Sequence, residues 1–209
     1  MKQPSIKTPE QIQNITDSCK YLTEMLYYLR EHTKAGMKLI EVEQLSQEWL
    51  DQRDLKGAFK NYDGFPANLC LSVNDCVVHG IPDDTILANW DLLKIDAGII
   101  YKKGYSDAAF SMIIWDEGLN PLGADLIRAT KEALDLGVDA IEVGKEAYWI
   151  SKAIYNHIRN SWFSVIKTLI NIFQQLINKL WIILRKLYFI TVNLITKIGR
   201  AHVWTPVTS

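Results

Sequence analysis

The sequence predicts an α+β fold, and three observations predict it. Two segments with helical apolar spacing come first. A block of short β-branched and aromatic runs follows, and two further helical segments come after it. Helices and strands are grouped rather than alternating, and neither an internal repeat nor a low-complexity linker interrupts them.

The first helix starts at Thr8-Pro9-Glu10-Gln11. The Thr8 hydroxyl can accept from the amide three residues on, and Gln11 can return a bond to Thr8. Proline suits the first helical position because no N–H is needed there. Ile12, Ile15, Cys19, Leu22, Met25, Leu26 and Leu29 recur at helical spacing as far as His32, and Gly36 stops the run. A second helix spans Leu39 to Gln52, with Leu39, Val42, Leu45 and Trp49 as its apolar face. From Lys56 to Ile114 the runs shorten between Gly, Pro and Asp. Strands at Leu92–Ile100 and Tyr105–Ile114 are predicted to form a hairpin through YKKG. Asn120-Pro121 opens a third helix, which Gly137 is expected to end, and a fourth covers Lys145 to Arg159.

At 209 residues, 48% hydrophobic and 22% charged, the chain reads as a soluble globular protein of one domain or two small ones. Its net charge of −1 gives no reason to expect a polyanionic partner. That total hides a split: residues 1–158 carry 16 basic and 24 acidic residues, whereas from Arg159 onward there are seven basic and no acidic ones. Cys19, Cys70 and Cys76 are odd in number and unevenly spaced, which suits a reducing cytoplasm better than a disulfide framework. The start, MKQPSIKTPE, has no apolar signal region. The longest charge-free runs near the C-terminus, Thr168–Asn178 and Leu187–Thr196, fall short of the ~20 residues that span a bilayer.

Chemistry concentrates in LLKIDAGIIYKKGYSDAAF. Asp96 interrupts an apolar strand and Asp107 sits early in the next. A buried carboxylate is costly unless paired or bound to a metal. With a two-residue Lys102-Lys103 loop the two aspartates share one face as diagonal neighbours, ~7–8 Å apart. Facing carboxylates ionise together poorly without a cation between them, and divalent metal resolves that conflict. The competing reading has one aspartate capping a turn and the other in solvent. His79, in VNDCVVHGIPDD, is a ligand, an acid/base, a substrate contact or a structural residue beside a turn. Cys70, in GFPANLCLSV, reads as a packed small hydrophobe. No Gly-rich phosphate loop, CxxC or HExxH occurs.

Taken together, NYDGFPANLCLSVNDCVVHGIP and DLLKIDAGIIYKKGYSDAAF resemble the type I methionine aminopeptidases. The resemblance covers roughly residues 5–169, with several motifs in order. It implies the N-terminal part of a pita-bread fold, a truncated catalytic domain over 1–169, and removal of the initiator methionine from nascent chains. It further implies two divalent metal ions (Co, Mn, Fe or Zn), with Asp96 holding one and Asp107 bridging both. His79 would be catalytic and contact the substrate near the scissile peptide, and Tyr62 and Cys70 would line the methionine pocket. The implied partners are a peptide or nascent-chain N-terminus and the ribosome, for a monomer with no specific nucleic acid and no membrane. A prolidase-like peptidase and a non-catalytic pita-bread binding protein are the alternatives. The sequence then departs from the family. Ile172 stands where the family's next metal-binding histidine is expected, and beyond Arg159 the only histidine is His202. The expectation is therefore a chain that is inactive by itself.

Residues 170–209 form a separate segment. A basic amphipathic helix is one reading, with Trp181, Ile182, Leu184, Leu187 and Phe189 beside Lys179, Arg185 and Lys186. The preferred reading is sequence joined by frameshift or chimera, because IGRAHVWTPVTS resembles the translation of a sequencing adapter with a UGA codon at Trp204. Three other tryptophans, Trp90, Trp115 and Trp162, occupy places where turn chemistry and the family resemblance point to glycine. They are expected to be glycine in the source organism, from UGA codons read as tryptophan.

Overall fold

The computed structural model describes residues 6–165. The segment 170–209, with its expected separate origin, lies outside the described residues. The chain divides into two compact units, and the boundary at residues 125 and 126 falls inside the predicted 1–169 domain.

The larger unit, residues 7–125, holds helices α1 (Pro9–His32) and α2 (Leu39–Asp51) and four strands: β1 (Lys56–Gly57), β2 (Leu69–Val73), β3 (Leu92–Tyr101) and β4 (Gly104–Ile113). The α1 start forms as predicted. The amide of Gln11 donates to Thr8 Oγ1 at 3.2 Å, and that of Thr8 donates to Gln11 Oε1 at 3.0 Å. Gly36 follows with φ of +86°. The sheet is antiparallel. β4 takes the full length of one edge of β3, so β1 and β2 share the other.

Strand alternation sorts the two faces. Leu93, Ile95, Ala97 and Ile99 of β3 are fully buried against Leu22, Met25 and Leu29 of α1 and Val42 and Leu50 of α2. Each buried Leu, Ile, Val or Met among them stabilises the fold by about 1.5–3 kcal/mol. The apolar stripe of α1 differs from expectation at its start: Ile12 is 49% exposed, and burial begins at Ser18. The Ser18 hydroxyl donates to the Ile99 carbonyl at 2.8 Å and shares a 2.9 Å bond with Ser106 Oγ, which fixes α1 across β3 and β4.

The smaller unit contains the remainder of α3 (Pro121–Asp139) and α4 (Tyr148–Asn160). Gly137 does not end α3. It is a close-packing position, where a Cβ would lie 2.8 Å from Ile154 Cδ1 on α4. α4 begins three residues later than predicted. His157 Nε2 lies 3.1 Å from Glu132 Oε2, linking the two helices. Among the described residues no helix is long and apolar enough to cross a membrane.

The three tryptophans separate. Trp115 has φ of +76° and Trp162 has φ of +66°, both in the left-handed region, and their side chains are 79% and 97% exposed. Trp162 closes a helix C-cap: its amide donates to the Arg159 carbonyl and that of Phe163 to Ile158. Trp90 does not fit the expectation. Its turn closes through the Asp91 amide to the Ala88 carbonyl without a positive φ at Trp90, so the backbone there accepts any residue.

Candidate metal and substrate site

The face of the sheet turned away from α1 and α2 carries the predicted carboxylates. The hairpin loop is Lys102-Lys103, with φ of +44° and +69°, a geometry suited to a two-residue turn between twisted strands. That loop pairs Asp96 with Ala109 and Gly98 with Asp107. Asp96 and Asp107 are thus diagonal neighbours on one face, as the odd separation requires. Cys70, paired with Asp96 from the other side, joins them.

The electrostatics of this group follow from crowding. Burial, then the charge of Asp107 and a shared hydrogen bond with it, push the Asp96 carboxyl up to about 7. Burial also raises Asp107, opposed by the bond from Asp96. Burial first, and then the two aspartates, push the Cys70 thiol up to about 12. A thiol held protonated at neutral pH is a poor nucleophile. Asp96 Oδ1 is buried and has no hydrogen-bond partner. An orphaned acceptor beside a second carboxylate is a donor set that fits a divalent cation. Among the described residues no third His, Cys, Asp or Glu completes a metal-binding group.

Two loops border this face. The Tyr62 loop reaches it because Gly98 has no side chain: a Cβ there would stand 2.9 Å from both Ala58 Cβ and Phe59 Cε1. The amide of Ala58 donates to the Gly98 carbonyl at 2.9 Å. Tyr62 follows in a short turn between left-handed Asn61 and Asp63, with its ring 69% exposed. The His79 loop is pinned to β2. Gly80 donates to Ser72 Oγ at 3.1 Å, and its carbonyl accepts from the Leu71 amide at 2.8 Å. A Cβ at Gly80 would fall 2.1 Å from the Leu71 carbonyl oxygen. His79 itself is exposed, with φ of +58°.

The structure thus brings Asp96, Asp107 and Cys70 together, with the Tyr62 and His79 loops attached beside them. Sequence reasoning missed Gly98 and Ser72. A glycine within a strand signals a close backbone approach and points to Gly98. Ser72 carries no such signal. Sequence reasoning also missed the lock at the end of β2, where Asn74 Nδ2 donates to Asp91 Oδ1 at 2.8 Å and the Leu92 amide donates to Asn74 Oδ1 at 2.9 Å.

Similar proteins share this arrangement of strands. The methionine aminopeptidase of Mycoplasma capricolum is 35% identical over 161 residues, covering 77% of this chain and 64% of that protein. That of Haemophilus influenzae is 31% identical, covering 78% and 61%. The chain therefore spans somewhat under two thirds of the curated relatives it matches. The methionine aminopeptidase structure from Thermotoga maritima superposes with a TM-score of 0.71 at 30% identity, covering 76% of this chain and 63% of that one. Pyrococcus furiosus prolidase superposes at 0.65 and 20% identity, a likeness of fold alone. The fold is the pita-bread fold of these enzymes. Residues 13–180 match the profile of metallopeptidase family M24, and the chain belongs to that family.

Proposed function

We propose that this chain is part of a metal-dependent methionine aminopeptidase that removes the initiator methionine from nascent proteins. One observation carries the reading: Asp96 and Asp107 share a face with a buried, unpartnered Asp96 Oδ1, in a chain 35% identical to a methionine aminopeptidase. Asp96 and Asp107 would hold divalent cation, two ions in the complete site. When bound, the cation supplies a Lewis acid and lowers the pKa of bound water. Cys70 and Tyr62 would wall the pocket for the first side chain, Cys70 as a neutral thiol. His79, held beside β2 by Gly80, would donate or accept at the scissile peptide. A reducing cytoplasm suits the three free thiols, and a ribosome-borne nascent chain supplies the substrate.

The test is divalent cation binding. Mn2+ titrated by calorimetry against the purified chain is expected to bind once, weakly, and Asp96→Asn or Asp107→Asn is expected to abolish it. Two carboxylates leave most of the coordination shell to water, so the chain alone is expected to release no methionine from a Met-Ala peptide. Unchanged Mn2+ binding in both variants would remove the reading.

A further inference from the structure

Glu43 is a buried carboxylate to which the proposed reaction gives no role. It lies on α2, is 7% exposed, and sits among the apolar residues Val42 and Leu50. Packing alone would favour another aliphatic side chain, because burying a carboxylate is costly unless hydrogen bonds replace its water. Those bonds are present, and apart from a 3.5 Å contact from Ser46 Oγ to Oε2 they come from one place. Glu43 Oε1 accepts from the Asn68 amide at 2.7 Å and from Asn68 Nδ2 at 2.9 Å, and Oε2 accepts from the Leu69 amide at 3.0 Å. These are the two residues before Cys70.

The chain leaves the sheet after β1, forms the Tyr62 loop and returns at Leu69. Its outgoing stem is fixed to β3 by Ala58 on Gly98. Its returning stem, Asn68 and Leu69, is fixed by Glu43. Gln47, one turn along α2, extends the hold. Its Oε1 accepts from Asn68 Nδ2 at 3.0 Å and from Lys60 Nζ at 2.9 Å, and Lys60 belongs to the loop itself. The Asn68 side chain also closes over Gly57 of the outgoing stem, where a Cβ would stand 2.4 Å from Asn68 Oδ1. Both stems and the loop body thus converge on one face of α2.

We propose that Glu43, backed by Gln47, is a positioning residue that sets the distance between the Tyr62 loop and Cys70, and hence which first side chain the pocket admits. The inference rests on the pocket assigned under Proposed function. Glu43→Gln keeps the shape but turns an N–H2 toward N–H donors, so the returning stem loses at least one bond. A second variant, Gln47→Ala, leaves the carboxylate in place and carries the test if Glu43→Gln does not fold.

Two measurements decide it on the full chain. The first is affinity for L-methionine hydroxamate and L-leucine hydroxamate, each with Mn2+ present. The ratio of the two is expected to change about fivefold or more in Glu43→Gln and about twofold in Gln47→Ala, with Mn2+ affinity unchanged. A role confined to general stability would weaken both probes equally. The second is amide hydrogen exchange, which does not depend on the pocket assignment. Residues 58–68 are expected to exchange about tenfold faster in Glu43→Gln, with α1 unchanged. Uniform acceleration across the larger unit, or an unchanged probe ratio, overturns the positioning role. Failure of the unmutated chain to bind either hydroxamate overturns the pocket assignment and the inferred control of its width, while the exchange result still judges the loop anchor.

Discussion

Asp96→Asn should stabilise the metal-free chain at pH 8 while destroying its metal response. The Asp96 carboxyl is raised to about 7 from an ordinary value of 3.8, with burial the main cause. A raised carboxyl pKa means that the folded state holds the proton more tightly than the unfolded chain. The folded protein is therefore favoured most below about pH 4, loses that advantage between about pH 4 and 7, and has none left above. The full shift corresponds to about 4 kcal/mol at 1.36 kcal/mol per unit. The carboxyl keeps part of its solvent contact, so about half of that, ~2 kcal/mol, is the working figure. Asparagine removes the ionisation, and the variant should gain about 2 kcal/mol at pH 8 and close to nothing at pH 4. In a chain of this size that is roughly 4–8 °C in melting temperature. Adding Mn2+ should raise the melting temperature of the original chain and leave that of the variant unchanged. Thermal melts at pH 4 and pH 8, with and without Mn2+, read all of this. A variant less stable at pH 8, or equally changed at both pH values, would refute the reasoning.

Trp115→Gly and Trp162→Gly should each stabilise the chain by about 0.5–1 kcal/mol in urea denaturation, because left-handed backbone costs a side-chain-bearing residue ~1–2 kcal/mol and glycine's entropy returns part of it. Trp90→Gly should give no such gain, since its φ is not positive. Ser18→Ala removes the buried hydroxyl bonds to the Ile99 carbonyl and Ser106 Oγ and should cost about 0.5–1.5 kcal/mol by the same denaturation, because Ser106 Oγ keeps the Ser18 backbone carbonyl as an acceptor. Gly80→Ala forces a Cβ against the Leu71 carbonyl and should cost about 1–3 kcal/mol while moving the His79 ring resonances in NMR. Unmoved resonances would show that Gly80 does not set the position of His79.

What was legible in the sequence was local. The Thr8–Gln11 box, the hairpin and the shared face of Asp96 and Asp107 each follow from spacings of a few residues and the period of a strand. Helix ends shifted: α3 runs through Gly137 to Asp139, and the glycine there leaves room for Ile154 rather than ending the helix. Long-range pairings carried no sequence signal. Ser18 meets Ile99 from 81 residues away, and Glu43 meets Leu69 from 26, so neither a buried serine nor a buried glutamate announces its partner. At residue 90 the left-handed turn that Asn followed by Gly would signal does not form. The turn formed there closes instead through Asp91, whose carboxylate also accepts from the Ala88 amide at 2.8 Å.

Seven of the nine left-handed non-glycine residues among the described residues fall into two groups with different physical standing. Asn61, Asp63, His79, Lys102 and Lys103 lie in or beside the loops around the carboxylate pair. Their strain is held by named bonds: Asn61 to the Phe65 carbonyl, Gly80 to Ser72, and the β3–β4 ladder on either side of the two lysines. In return it places Tyr62, His79 and Asp107. Asn and Asp also tolerate this region better than most residues. Trp115 and Trp162 share the backbone geometry and neither advantage. Each exposes most of its indole, and the cap at Trp162 is built wholly from backbone bonds that glycine would make as well. Strain that positions a site has a reason to persist, whereas strain at an exposed indole has none. The glycine reading therefore rests on backbone geometry at 115 and 162, independently of any codon argument, and at 90 it has no such support.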